Sequence, residues 1–188
     1  MRWWWISLGL ALAMGPSAHA DDLGGNGRGP LAAGVIEIWK GRREMELRDG
    51  DQVVRQFKVV LGTAPREAKQ IQGDNRTPVG NYFVCQKNQR SRFRRFLGLS
   101  YPNAEDADRG YNTQLIDAST WADIFFADLR RDTPPWGTRL GGRVGIHGFG
   151  GRPEMPIDWT QGCIAVGDAE IDYLFDRVSI GTPVIIHE

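Results

Sequence analysis

Two residues carry the most obvious chemistry in this chain. His147 ends the run "RVGIH" and Cys163 lies in "WTQGCIAV", with a loop rich in glycine and proline between them. A cysteine thiol is only partly ionised near neutral pH, so a cysteine nucleophile needs an imidazole that takes its proton or holds it as an ion pair. Glycines 148, 150 and 151 and prolines 153 and 156 allow the intervening loop to double back and set the two side by side. Gly162, directly before Cys163, gives the backbone a conformation closed to other residues, in which the amides of Gly162 and Cys163 can face a developing oxyanion. That combination suits acyl transfer. A glycine needed only for a tight turn, beside a core histidine and a structural thiol, is the competing reading.

Other chemistries fit less well. One histidine, one cysteine and Asp158 do not make the ligand spacing of a zinc site, so no metal or cofactor is expected. In a papain-like peptidase the cysteine precedes the histidine by well over a hundred residues, and a chymotrypsin-like fold draws base and nucleophile from separate barrels. The other cysteine, Cys85, opens a further alternative: an exported chain with two cysteines can spend them on a disulfide.

Export itself is expected. Arg2 precedes an apolar run from Trp3 to Met14, then Gly15-Pro16 and Ala18-His19-Ala20, which is the pattern of a signal peptide (1–20) cleaved after Ala20. Residues 21–33 read as a flexible lead-in and 34–188 as one domain, an ordinary size for a single core. The 23 basic and 23 acidic residues balance, so no global field draws nucleic acid or an anionic membrane, and no segment beyond the signal reads as membrane-embedded.

The elements that must position the pair are mostly strands. "GVIEIWK" and "MELRDGDQVVRQFKVVL", with Asp49-Gly50 as a turn, predict an antiparallel meander. "GDNRTPVGNYFVCQ" reads as a loop feeding a strand with Cys85 at its end, and "RVGIH" and "TPVIIHE" as two more strands. Two helices are expected. One is "STWADIFFADLRR", capped by Asp117 or Ser119, with Trp121, Ile124, Phe125 and Leu129 on one face; the other is "AEIDYLFDRV", capped by Asp168. The basic stretch "KNQRSRFRRF" reads as a solvated face whose phenylalanines reach the core, with no catalytic role.

Taken together, "IHGFGG", the loop, "TQGCIAV", the following helix and "GTPVIIH" resemble the L,D-transpeptidase (YkuD-type) catalytic domain family. "GDNRTPVGNYFV" resembles that family's Gly-Asp-x-x-Thr-Pro-x-Gly segment, and "LGLSYPNAEDADRG" a stretch of its YafK-like branch. The resemblance implies a β-sandwich or capped barrel of mixed strands with one or two helices. It implies Cys163 as nucleophile, His147 as base held by the Gly148 carbonyl, an oxyanion hole at Gly162 and Cys163, and Thr160, Gln161 and Tyr101 lining the site. Periplasmic acyl transfer on peptidoglycan stem peptides through a cysteine thioester, at the L-centre of the diamino acid, is the implied reaction. Hydrolysis of the same bonds, as a carboxypeptidase or as an amidase releasing peptidoglycan-linked lipoprotein, is the alternative within that class. From a different class, the rival is a wall-binding module with inert cysteines. Gln161 and Ala165 depart from the histidine and the arginine or asparagine that many relatives carry, which removes a cation from beside the nucleophile.

Overall fold

The computed structural model describes residues 29–188, so the expected signal segment and most of the lead-in lie outside the described residues. Strands β1 (Gly34–Trp39), β2 (Glu44–Asp49) and β3 (Gln52–Lys58) form the antiparallel meander read from the sequence. β4 (Gly80–Ser91) and β5 (Arg94–Leu99) make a hairpin, β6 (Gly145–His147) and β7 (Ile164–Ala165) are short, and β8 is Pro183–His187. One mixed sheet results, in the order β3-β2-β1-β8-β4-β5-β6-β7, with β1 parallel to β8 and β6 parallel to β7. The fold is mostly β, as expected, and its sheet curls strongly. β7 meets the chain that leaves β3: Val60 and Ala165 exchange both backbone hydrogen bonds at 2.9 Å, and Thr160 N–H donates to Leu61 O.

The core fills the inside of this curl. Ile36, Ile38, Met45 and Leu47 of the meander, Leu97, Leu99, Ile146 and Ile164 of the far strands, and Ile171, Leu174, Phe175 and Val178 of helix α3 (Asp168–Arg177) pack together. Their alternation along each strand leaves the opposite face free for other work.

Three helices are present among the described residues, where one or two were expected. The addition, α1 (Ala104–Asn112), is short and polar; its Asn103 accepts from Asp106 N–H in a capping box, a local signal that its weak apolar period concealed. Helix α2 (Ala118–Leu129) is capped by Asp117, one of the two expected caps. Of the expected apolar face, Ile124 is buried and Trp121 and Phe125 are half-buried, while Leu129 is 69% exposed. α2 packs against α1 in a small separate cluster with Ile116 and Leu140, which is too narrow to cover a whole face. The cap of α3 is Gly167, whose N–H donates to Glu170, and not Asp168.

Candidate active site

Strand register brings the two candidate residues together. His147 pairs with Ala165, and Ile146 with Ile164, across the parallel β6 and β7. Both isoleucines point into the core, so alternation turns His147, Ala165 and Cys163, the residue just before β7, to the opposite face. The register sets Cys163 on the same face as His147, two positions before Ala165, the residue that faces the histidine across the ladder.

The imidazole is fixed on several sides. His147 Nδ1 donates to the Gly148 carbonyl at 2.7 Å, and because a carbonyl can only accept, Nε2 is the unprotonated nitrogen of the neutral ring. Phe93 stacks on the ring with centroids 4.4 Å apart, and Trp159 tilts against it at 5.8 Å. The residue is 2% exposed. Burial lowers its pKa below the ordinary imidazole range; the Gly148 carbonyl opposes that shift, and Arg152 and Arg92 add to it.

Gly148 has a steric reason to be glycine. A Cβ there would lie 2.4 Å from an Asp168 oxygen and 2.9 Å from both Ile171 Cγ2 and the Phe93 carbonyl. Asp168 takes up the loop that follows, accepting from Gly150 N–H at 2.9 Å and Gly151 N–H at 2.8 Å. Asp168 therefore anchors the histidine loop, a role that differs from the expected helix cap.

Cys163 and Cys85 are both free, and no disulfide joins them. Cys85 sits in the middle of β4, and its thiol faces the Gly98 carbonyl at 3.5 Å in a buried position. Cys163 is half-buried, and its thiol donates to the Arg143 carbonyl at 3.6 Å. The residue keeps one side open while its sulfur is packed by protein on the other. That packing raises the thiol pKa, opposed by the Gly145 N–H and by the charges of Lys69 and Arg92. Imidazole and thiol are thus both drawn toward their neutral forms, which suits proton transfer from Cys163 to His147 on attack rather than a resting ion pair.

Thr160 does not line an open site. It is 3% exposed, its hydroxyl donates to the Cys163 carbonyl at 2.6 Å, and the same oxygen accepts from Gly162 N–H at 3.1 Å. The Gly162 amide is therefore engaged in this turn. Gly162 itself has φ +120°, and a Cβ would lie 2.5 Å from the Arg76 carbonyl, so the position demands glycine on both counts. Thr160→Val keeps the shape and deletes the bridge. The variant is expected to lose stability by about 1–3 kcal/mol for each buried group left unpaired, and to slow thiol chemistry at Cys163, whereas Thr160→Ser restores both. Thermal unfolding and alkylation rates measured on the two variants check this.

Two further expectations fare differently. Gln161 is exposed in the turn before Cys163. Tyr101 is fully buried, with its hydroxyl donating to the Leu140 carbonyl at 2.9 Å, and it cannot meet a substrate; an interior tyrosine finds a backbone acceptor before it finds a ligand. The basic hairpin, read as a solvated face, instead folds its Phe93 over His147. Only the alternation of aromatic and cationic residues hinted at this, and nothing in that pattern named the histidine as the partner.

The profile of the YkuD family, the L,D-transpeptidase catalytic domain, matches residues 33–186. No curated protein matches the chain. Among solved structures, a mutant of the helical cell shape determining protein Pgp2 from Campylobacter jejuni aligns with TM-score 0.59 and 20% identity, over 86% of this chain and 51% of that one. A mutant L,D-transpeptidase from Enterococcus faecium aligns with TM-score 0.50 and 17% identity, over 83% and 50%. The chain spans about half the length of these structures, and at such identities the likeness speaks for the fold. With the family profile covering most of the described residues, the chain belongs to the YkuD family of L,D-transpeptidase catalytic domains.

Proposed function

We propose that this protein is an exported cysteine acyltransferase that acts on peptidoglycan stem peptides at the L-centre of the diamino acid, in the manner of an L,D-transpeptidase. The observation that carries the reading is the shared face of β6 and β7, with His147 Nε2 unprotonated and Cys163 partly open to solvent. Cys163 Sγ attacks the carbonyl carbon of the scissile bond while its proton passes to His147 Nε2. The tetrahedral intermediate collapses to a thioester, and the imidazolium returns the proton to the departing amine. An acceptor amine, or water, then attacks the thioester and frees the thiol. On this reading the Cys163 amide donates to the oxyanion, and Thr160, whose hydroxyl donates to the Cys163 carbonyl, holds the turn that carries that amide.

Incubation with tetrapeptide muropeptides, pentapeptide muropeptides and lipoprotein-linked muropeptides, beside a Cys163→Ala control, tests the reading by product mass. Loss of the terminal D-alanine with dimer formation supports transpeptidation. Loss without dimers assigns a carboxypeptidase, release of the linked peptide assigns an amidase, and no Cys163-dependent change in any arm refutes the assignment.

The buried imidazole also sets a pH signature. His147 acts as base only when neutral, and its pKa is lowered, so the acid limb of kcat/KM is expected at a midpoint below the ordinary value of about 6.5. A limb well above that value in a pH–rate profile contradicts His147 as the base.

A further inference from the structure

Three of the five cations of the basic hairpin, Lys87, Arg94 and Arg95, have carbonyl or carboxylate partners. Lys87 Nζ donates to the Phe175 and Val178 carbonyls at 2.6 Å, closing the end of α3. Arg94 and Arg95 pair with Asp172, and Arg95 also with Asp176 at 2.9 Å. Arg92 is different. Its guanidinium lies 4.6 Å over the Phe93 ring, the ring that stacks on His147. From the other side of the site, on the loop after His147, Arg152 reaches the same place: it lies 5.2 Å from the Phe93 ring and 4.7 Å over Trp159.

Two guanidiniums from separate segments therefore converge on the aromatic pair that walls the histidine. Both are exposed, and neither forms an ion pair with a carboxylate among the described residues. Folding gains little from this arrangement, since like charges brought together beside an imidazole repel one another and disfavour its protonation. Aromatic stacking, however, fixes both forks in place and leaves their N–H groups free for an anion.

We propose that Arg92 and Arg152 form a carboxylate-binding subsite that orients an anionic peptide substrate against His147 and Cys163. The inference deepens the acyl-transfer reading of this site and rests on it for the identity of the peptide. A planar carboxylate matches the guanidinium fork, and peptide stems offer one at the chain terminus and one on the second centre of the diamino acid.

The test uses the whole protein and two small alkylating agents of equal reach, iodoacetate and iodoacetamide, with labelling at Cys163 read by peptide mass. The carboxylate reagent is favoured by the subsite and the amide is not. In the double variant Arg92→Gln with Arg152→Gln, the iodoacetate rate is expected to fall about three- to tenfold while the iodoacetamide rate stays within about twofold. High salt should reproduce the loss in the parent protein, and the Arg92→Lys, Arg152→Lys pair should recover much of it. An unchanged ratio between the two reagents overturns the subsite, whatever the natural substrate. Muropeptides then separate the two sources of carboxylate: a rise in KM that disappears when the terminus is amidated assigns the terminal group, and one that disappears when the diamino acid is amidated assigns the other. A rise that survives both amidations also overturns the proposal. If no muropeptide is turned over by the parent protein, the peptidoglycan reading fails, yet the alkylation ratio still decides the subsite.

Discussion

Cys163→Ala and His147→Ala are each expected to lower turnover by about 10⁴-fold or more, and the double variant to be no worse than either alone. On the proposed mechanism nucleophile and base act as one unit: without the imidazole the half-buried thiol stays protonated, and without the thiol the imidazole has nothing to activate. Neither change should unfold the protein. Cys163 is half-buried and small, and the strand that carries His147 is held by Leu97, Ile146 and Ile164 in the core whether or not the ring is present. Circular dichroism with product assays on the three variants checks both halves of the statement. Cys85→Ala, by contrast, should keep activity, because Cys85 faces Gly98 from the middle of β4 and takes no part in the site. Additive losses at 147 and 163 would mean that the two do not act on the same step.

The second large effect lies outside the chemistry. Asp74 accepts from Lys69 Nζ at 2.8 Å and from three backbone amides, those of Gln70, Ile71 and Arg76. Lys69 is only 4% exposed, so the pair is buried. Burial by itself would raise the Asp74 pKa, but the lysine and the three amides outweigh it and hold the carboxyl below its usual range. Asp74→Ala strands the ammonium and all three donors. A loss of about 3–5 kcal/mol is expected in denaturant unfolding, with Lys69→Met added on top costing less than it does alone. Activity should fall as well, since this loop supplies the Asn75 and Arg76 carbonyls against which Gly62 and Gly162 pack, and Gly162 sets the turn at Cys163. The sign of the pH dependence follows from the lowered pKa. The stabilisation from Asp74 is present above its unfolded pKa and is lost as pH falls through the lower folded value. Full stability of Asp74→Ala at neutral pH would contradict the anchoring role.

Why some of this was readable in advance and some was not comes down to the range of the interactions. The meander, the strand ending at His147 and the helix after Cys163 are local patterns: alternation, a turn dipeptide, apolar residues at helical spacing. The histidine and the cysteine could be paired from their types and the breakers between them. Burial could not be read in the same way. Tyr101 and Thr160 look like site-lining residues because both are polar and close in sequence to family motifs, yet each hydroxyl is consumed by a backbone carbonyl inside the fold. Phe93 and Arg92 err in the opposite direction. Their segment carries five cations and reads as a solvent face, and only the β4–β5 hairpin, whose Phe96 pairs with His147 in the sheet, carries it across the site. Asp168 shows the same limit on a smaller scale, since a carboxylate at a helix start looks like a cap until the loop from residue 148 arrives to claim it.

On the proposed mechanism Cys163 carries the acyl group. The most direct test of this is intact-protein mass spectrometry on an acid-quenched mixture of the full chain with tetrapeptide muropeptide. A single adduct is expected, equal to the muropeptide less its terminal D-alanine, that maps to Cys163, is released by hydroxylamine as a thioester is, and is missing from Cys163→Ala. An adduct on any other residue, or muropeptide conversion that continues unchanged in Cys163→Ala, would contradict it.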